Sequence, residues 1–120
     1  MPKNNLCPLK HLANTFGGKW KLPIICILSA DEFMPKRYSV IKRKLGRITN
    51  VMLARSLREL EESGLVHREQ YNEIPPRVEY SLTEQGKETL SFLSHAAQWA
   101  VKDMKRRKIN AYCEKCVIVD

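Results

Sequence analysis

A cluster of basic side chains in the middle of the chain is suited to one kind of chemistry, the binding of phosphate groups. Positions 36 to 58 hold no aspartate or glutamate but eight lysines and arginines: Lys36, Arg37, Lys42, Arg43, Lys44, Arg47, Arg55 and Arg58. Such a surface attracts a polyanion, because each positive group lowers the free energy of approach to phosphates. The formal net charge of the whole chain, +8, indicates the same kind of partner. Charge alone also fits RNA or an acidic membrane.

The basic cluster lies on two predicted helices that are separated by a short turn. Ser39 is expected to cap a helix that runs to about Leu45, and Gly46 to end it. Thr49 is expected to cap the next helix, whose buried face is predicted from Leu53, Leu57 and Leu60. This order is typical of a helix-turn-helix, whose second helix enters the major groove of DNA.

Two strand-like runs follow the second helix. Residues 65–71 and 77–82 alternate apolar and polar side chains, as a half-buried antiparallel hairpin requires. Residues 72–76, which include Pro75 and Pro76, form the predicted tip of this hairpin. A hairpin in this place is the wing of a winged helix-turn-helix, so the predicted fold class is α+β.

Further helices are predicted on both sides of this unit. The first runs from Pro8 to Phe16, and the second, apolar on nearly all sides, runs from Trp20 to Ala30 and should lie in the core. Thr83 is expected to cap a last helix from Glu84 to about Lys108, which is longer than a three-helix core needs. That length predicts a homodimer, as does the apolar surface of Leu9, Leu12, Trp99 and Val101.

The chain of 120 residues is predicted to be a single winged helix-turn-helix domain. Residues 7–82 would form the core and wing, residues 83–108 the C-terminal dimerisation helix, and residues 109–120 a cysteine-containing tail. No apolar run approaches the roughly 20 residues that a membrane helix needs, and the start of the chain lacks the apolar segment of a signal peptide. We therefore expect a cytoplasmic protein without a membrane partner.

The second helix of the predicted helix-turn-helix is the candidate reader of DNA sequence. Asparagine can pair bidentately with adenine, arginine can pair with guanine, and valine can contact a thymine methyl group. The side chains placed for this role are Thr49, Asn50, Val51 and Arg55. The alternative is a solvated helix face.

Other basic side chains are predicted to contact phosphates without reading sequence, because an isolated positive charge carries no base information. They are Lys42, Arg43, Arg47 and Arg58. Arg77 follows two prolines at the wing and is predicted to approach a phosphate or the minor groove. A surface ion pair of Arg77 with Glu73 or Glu79 is the alternative.

Several short motifs together resemble the HxlR-type winged helix-turn-helix regulators of bacteria and archaea. They are Cys7-Pro8, Gly17-Gly18-Lys19-Trp20, Ile48-Thr49 with Leu53, Leu57-Arg58-Glu59-Leu60-Glu61, Gly64-Leu65-Val66, and Pro75 to Thr83 with Gly86. The resemblance covers roughly residues 7–99. It implies a homodimer that binds operator DNA and regulates transcription, with dimer contacts from the N-terminal and C-terminal helices. Some members of that family sense electrophiles or oxidants through the cysteine that precedes the first helix, here Cys7.

Three cysteines are candidates for redox sensing. Cys7 lies at a predicted helix N-terminus, where partial positive charge favours the thiolate, although an unreactive packed thiol is the alternative. Cys113 and Cys116 form a single C-x-x-C, which could be half a zinc site, a redox pair or a tail without function. We predict neither a cofactor nor a metal site, and the sequence does not identify a small-molecule effector.

Other classes of protein fit the sequence less well. His11, His67 and His95 form no catalytic or metal-ligand pattern, so we do not expect an enzyme. A winged-helix protein-interaction module would normally lack an acid-free basic cluster, and a thiol-disulfide protein would not carry its C-x-x-C after the last helix. A non-specific DNA-binding protein is a further alternative. The prediction is a sequence-specific, dimeric, DNA-binding transcriptional regulator.

Overall fold

Helices and one small antiparallel sheet alternate along residues 5–111, the part of the chain that the computed structural model describes. In chain order the elements are α1 (Pro8–Phe16), α2 (Lys21–Phe33), β1 (Lys36–Arg37), α3 (Tyr38–Leu45), α4 (Asn50–Glu62), β2 (Val66–Tyr71), β3 (Arg77–Leu82), α5 (Glu84–Glu88) and α6 (Leu90–Arg106). The strands are ordered β1-β3-β2 in the sheet. This is the α+β winged helix-turn-helix that the sequence predicts. None of the described helices is both long and apolar enough to cross a membrane.

Apolar side chains from the helices and from the two longer strands form one core beneath the helix-turn-helix. Its buried members are Phe16, Ile24, Ile25, Leu28, Ile41, Ile48, Leu53, Leu57, Leu60, Leu65, Val66, Leu82 and Leu93. Burial of each such side chain contributes about 1.5–3 kcal/mol to stability. The predicted central place of α2 is confirmed by Ile24, Ile25 and Leu28, which are completely buried, whereas Leu22 on the same helix is 40% exposed.

The two helices of the helix-turn-helix begin for different reasons. Thr49 caps α4 as predicted, because its Oγ1 accepts a hydrogen bond from the backbone N–H of Met52 at 3.1 Å. The prediction that Ser39 caps α3 is wrong, since α3 begins at Tyr38 and the residue at its cap position is Arg37, which forms no side-chain cap. Strand β1 fixes this start by pairing with β3, with Lys36 opposite Tyr80.

The wing is an antiparallel hairpin of β2 and β3, in the register from Val66 opposite Leu82 to Tyr71 opposite Arg77. The five residues between the strands form its tip, as predicted. Strand β1 extends the sheet beside β3. The sequence did not predict β1, because a strand of two residues has no detectable alternation.

The predicted single last helix is in fact two helices, α5 and α6, that meet at Thr89. Thr83 caps α5 as predicted, since its Oγ1 accepts from the backbone N–H of Gly86 at 3.0 Å. The hydroxyl of Thr89 donates to the carbonyl oxygen of Gly86 at 2.7 Å. A side-chain bond of this kind competes with the backbone ladder of a helix and favours a bend, which agrees with the break at this residue. Helix α6 then ends at Arg106, two residues before the predicted end.

The end of α2 shows why one basic residue is not part of a phosphate-binding surface. Residues 31–33 adopt left-handed backbone angles, with φ between 56° and 65°. Lys36 holds this turn, because its buried Nζ donates to the carbonyl oxygens of Ala30 at 2.9 Å and of Met34 at 3.0 Å. Burial lowers the pKa of Lys36, an effect that the carboxylate of Asp31 opposes. Lys36 is therefore structural.

Candidate nucleic-acid interface

Helix α4 presents a polar and basic face to solvent. Its leucines, which include Leu53 and Leu57, are buried, so the helix cannot rotate without losing core contacts. The opposite face is exposed and carries Asn50, Val51, Ala54, Arg55 and Arg58. Val51 is 76% exposed, although it is apolar. The predicted division of this helix into a buried and an exposed face is confirmed.

A tyrosine from the preceding helix contacts the start of α4. The hydroxyl of Tyr38 donates to Asn50, with distances of 3.1 Å to its backbone oxygen and 3.2 Å to its side-chain Oδ1. Burial, and secondarily the neighbouring Tyr80, raise the pKa of Tyr38, so its hydroxyl keeps its proton at neutral pH. The sequence analysis missed Tyr38. Its place just before the predicted start of α3 was the available signal.

Arg55 belongs to a three-residue ion-pair network. Glu59 accepts from Nε of Arg55 at 3.2 Å, one turn along α4, and lies 3.1 Å from Nζ of Lys21 on α2. Hydrogen bonds from Lys21 and then from Arg55 lower the pKa of Glu59, so its carboxylate is charged at neutral pH. Because Glu59 uses Nε, the two terminal amino groups of Arg55 are left for another acceptor. The sequence analysis did not predict this network.

The candidate phosphate contacts fall into two groups. Lys42, Arg43 and Arg47 lie in the last turn of α3 and in the turn that follows, and none of them forms an ion pair with another residue of the described range 5–111. Arg58 lies on α4, where its Nε is 3.9 Å from Glu62 and its side chain is 66% exposed. An exposed ion pair of this length contributes little to stability. All four charges are thus accessible to an anion.

Arg77 on the wing is held by protein groups. Its guanidinium nitrogens lie 3.2 Å from Glu73 and 3.8 Å from Glu79, and its Cζ lies 4.1 Å from the centre of the Tyr71 ring. Its Nε is buried and has no hydrogen-bond partner within residues 5–111. This is the ion-pair arrangement that the sequence left open as the alternative to a DNA contact. A phosphate could reach Arg77 only in competition with the two carboxylates.

Large apolar side chains are exposed on α1 and on α6. Leu9 is 72% exposed, Trp99 62% and Phe92 41%. A groove of about 360 Å³ runs beside Trp99, and its lining is almost entirely apolar: Leu22, Leu93, Ala96, Ala97, Trp99 and Ala100. Large apolar side chains that cluster on a surface mark an interaction site.

Cys7 is an exposed free thiol that directly precedes α1. Its backbone oxygen accepts hydrogen bonds from the N–H groups of Lys10 and His11, at 2.9 and 3.0 Å. The predicted position at a helix N-terminus is therefore confirmed. Cys113 and Cys116 lie outside the described residues. Within the described range no three His, Cys, Asp or Glu side chains are grouped so that they could hold a metal ion.

Comparison with known proteins identifies the family. Residues 15–108 match the family model described as HxlR-like helix-turn-helix. The chain belongs to the HxlR family. A curated member, an uncharacterised HTH-type transcriptional regulator of Methanothermobacter thermautotrophicus, is 47% identical over 94 residues, which are 78% of this chain and 70% of that protein. Another, from Halalkalibacterium halodurans, is 42% identical over 96 residues, which are 80% of this chain and 83% of that protein.

Solved structures agree with this family assignment. The redox regulator HypR in its oxidised form superposes with a TM-score of 0.72 at 38% identity, over 80% of this chain and 96% of that one. Its reduced form gives a TM-score of 0.78 at 34% identity, over 85% and 98% of the two chains. The chain is accordingly a transcriptional regulator with a helix-turn-helix DNA-binding fold. Its HxlR relatives are regulators rather than enzymes, in agreement with the sequence prediction.

Proposed function

We propose that the chain binds double-stranded operator DNA as a homodimer and regulates transcription by recognising a specific sequence. The observation that carries the proposal is the exposed face of α4, where an amide, a valine and an arginine stand on a helix locked to the core by its leucines. Such a face combines the groups that read base edges in a major groove. A regulator of this kind acts where the chromosome is, so we place it in the cytoplasm.

The proposed DNA contacts divide into two roles. Thr49, Asn50, Val51 and Arg55 at the start of α4 would meet base edges. The phosphate contacts would be Lys42, Arg43 and Arg47, which lie at the end of α3 and in the turn before α4, and Arg58, about two turns along α4. We include Arg77 as a weaker contact, because a phosphate must compete there with Glu73 and Glu79.

The first prediction separates the two roles. Arg55→Ala should lower affinity for the preferred operator by about 1–3 kcal/mol and relax selection at one base pair, because a bidentate contact with guanine is lost. Lys42→Ala removes the same charge but should weaken binding to all duplexes alike, and it should reduce the slope of log affinity against log salt by about 1 per half-site. Titrations of selected and random duplexes at several salt concentrations measure both effects.

Three outcomes of these titrations are informative. If Arg55→Ala weakens binding to selected and random duplexes equally, its reading role is wrong. If the wild type prefers no duplex, the chain is a non-specific DNA-binding protein. If it binds no duplex at low salt, a protein-interaction module becomes the better description.

The homodimer is proposed from the uncovered surface of Leu9, Phe92 and Trp99. A second copy of the chain is a suitable occupant, because the surface is apolar and includes the N-terminal and C-terminal helices. In such a dimer the two copies of α4 would bind two half-sites about one helical turn, roughly 10 base pairs, or a small multiple apart. We therefore retain the proposed division into a core and wing (7–82), a dimerisation segment (83–108) and a tail (109–120), all within one domain.

We also propose that Cys7 makes operator binding sensitive to oxidants or electrophiles. Its exposure and its place before α1 support this, as does the similarity to the redox regulator HypR. A chemical oxidant would take two electrons and two protons from Cys7 and a second thiol, and a disulfide would form. The proposed second thiol is that of Cys113 or Cys116. A cross-link near the dimer contact would change the spacing of the two reading helices.

The second prediction tests Cys7. Diamide treatment should weaken operator binding by the wild type, whereas Cys7→Ser should keep its affinity. Non-reducing gels and operator titrations before and after treatment provide the measurement. If the wild type is shown to be modified at Cys7 and its operator affinity is unchanged, the proposed redox control by Cys7 is wrong. An equal response of Cys7→Ser would reject it as well.

A further inference from the structure

A side-chain hydrogen bond joins the two helices of the helix-turn-helix at the start of α4. Among the described residues it is formed by Tyr38 and Asn50. Tyr38 is the first residue of α3 and Asn50 the first residue of α4. The ring of Tyr38 is half-buried and packs against the core, while Asn50 is exposed. A fixed donor therefore holds an exposed amide.

We propose that Tyr38 is a specificity-determining residue that orients the amide of Asn50 for reading an adenine. This inference rests on the function proposed above and extends it to a residue that does not itself contact a base. An asparagine reads adenine by accepting from the N6 amino group through Oδ1 and donating to N7 through Nδ2. The amide must therefore face the base edge with its oxygen and nitrogen in a defined order.

The hydroxyl of Tyr38 sets that order. Its proton is shared between the backbone oxygen and Oδ1 of Asn50, so the oxygen side of the amide is held toward α3. A carbonyl oxygen has two lone pairs, and one of them remains for the adenine amino group. Nδ2 keeps both of its protons for N7. An amide that is oriented before binding loses less rotational freedom when the complex forms.

The charge state of Tyr38 agrees with this role. A phenolate could not donate to Oδ1 and would repel both oxygens of Asn50. Burial and the nearby Tyr80 raise the pKa of Tyr38, which keeps the hydroxyl protonated across the physiological range. The packed ring also restricts the hydroxyl to one place, since α3 and β1 fix the backbone of Tyr38.

The test uses the full-length protein and a duplex selected from a random DNA pool by wild type. The variants are Tyr38→Phe, Asn50→Ala and the double substitution, and each is titrated against duplexes in which every base pair is changed in turn. Tyr38→Phe should lower affinity for the selected duplex by about 3- to 10-fold, the range of one lost hydrogen bond. The loss should fall at the base pair that Asn50→Ala also affects, and Tyr38→Phe should have no further effect in the double variant.

Tyr80→Phe is the matched control, because it removes a neighbouring half-buried hydroxyl that has no hydrogen bond to Asn50 among those of the described residues. It should leave base selection unchanged, and thermal melting checks that all variants fold. An equal loss on every duplex would show that Tyr38 contacts a phosphate or only supports the fold, and would overturn the inference. Additive effects in the double variant would overturn it as well.

Failure of this inference can be distinguished from failure of the proposed function. If wild type selects a duplex and Asn50→Ala relaxes one base pair while Tyr38→Phe changes nothing, the orienting role alone is wrong. If Asn50→Ala relaxes no base pair, Asn50 does not read sequence and the inference fails with it. If wild type selects no duplex, the proposed function itself fails.

Discussion

Trp99→Glu is expected to reduce operator affinity by about 100-fold or more, because it should dissociate the dimer. A single chain would then bind only one half-site and lose the affinity that two linked half-sites provide. Trp99 is 62% exposed and borders the apolar groove on α6. A carboxylate at this position would have to lose its hydration on association without gaining a partner. Light scattering at micromolar concentration should then return the 13.9 kDa mass of one chain.

Ser91→Glu, at an exposed position of α6 about two turns before Trp99, is the control. It adds the same charge outside the lining of the apolar groove, so the mass of two chains and the operator affinity should both persist. If Trp99→Glu retains both properties, α6 does not form the dimer contact. A one-chain mass for wild type would exclude the homodimer itself.

The sequence predicted the helix-turn-helix because its signals are local. Thr49 caps α4 through a bond to a residue three positions away, and the buried face of α4 follows from the spacing of Leu53, Leu57 and Leu60. The wing was predicted for the same reason, since alternation and a proline-rich tip are local patterns. The exposed face of α4, which carries the candidate reading residues, could therefore be identified without a structure.

Long-range contacts account for what the sequence analysis missed. Lys36 was counted with the basic surface, yet its ammonium group is buried against the carbonyl oxygens of a left-handed turn. No local sequence pattern predicts that turn. The pairing of Glu59 with Lys21 joins residues 38 positions apart (59 − 21 = 38). Tyr38 contacts Asn50 only because the turn between α3 and α4 brings their first residues together.

The break in the C-terminal helix illustrates another limit. The apolar residues that recur at helical spacing, from Leu90 to Met104, all follow Thr89, so their pattern carried no information about a break that precedes them. The side-chain feature at the break is the hydroxyl of Thr89, which donates to the carbonyl oxygen of Gly86. Threonine also occurs inside helices, and only the geometry shows which role it takes.

Gly86→Ala is expected to destabilise the protein by about 3 kcal/mol or more, at or above the upper end of the usual cost of overpacking. A Cβ at this buried position would lie 2.2 Å from the backbone oxygen of Leu65 and 3.2 Å from Cδ2 of Leu82. The oxygen cannot easily move, because it accepts a hydrogen bond from the N–H of Thr83 at 3.0 Å. Relief of the clash would therefore shift α5 away from the start of β2 and disturb the cap at Thr83.

Gly46→Ala is the matched control for this substitution, because a Cβ there meets nothing within 4 Å. Its cost should come from the backbone alone, because φ 82° with ψ −99° is a conformation that non-glycine residues rarely adopt, at about 1–3 kcal/mol. Urea denaturation of both variants at one protein concentration measures the difference, since the stability of a dimer depends on concentration. Equal losses for the two substitutions would mean that the contact of Gly86 with Leu65 relaxes freely, and that α5 is not fixed to the wing by this approach.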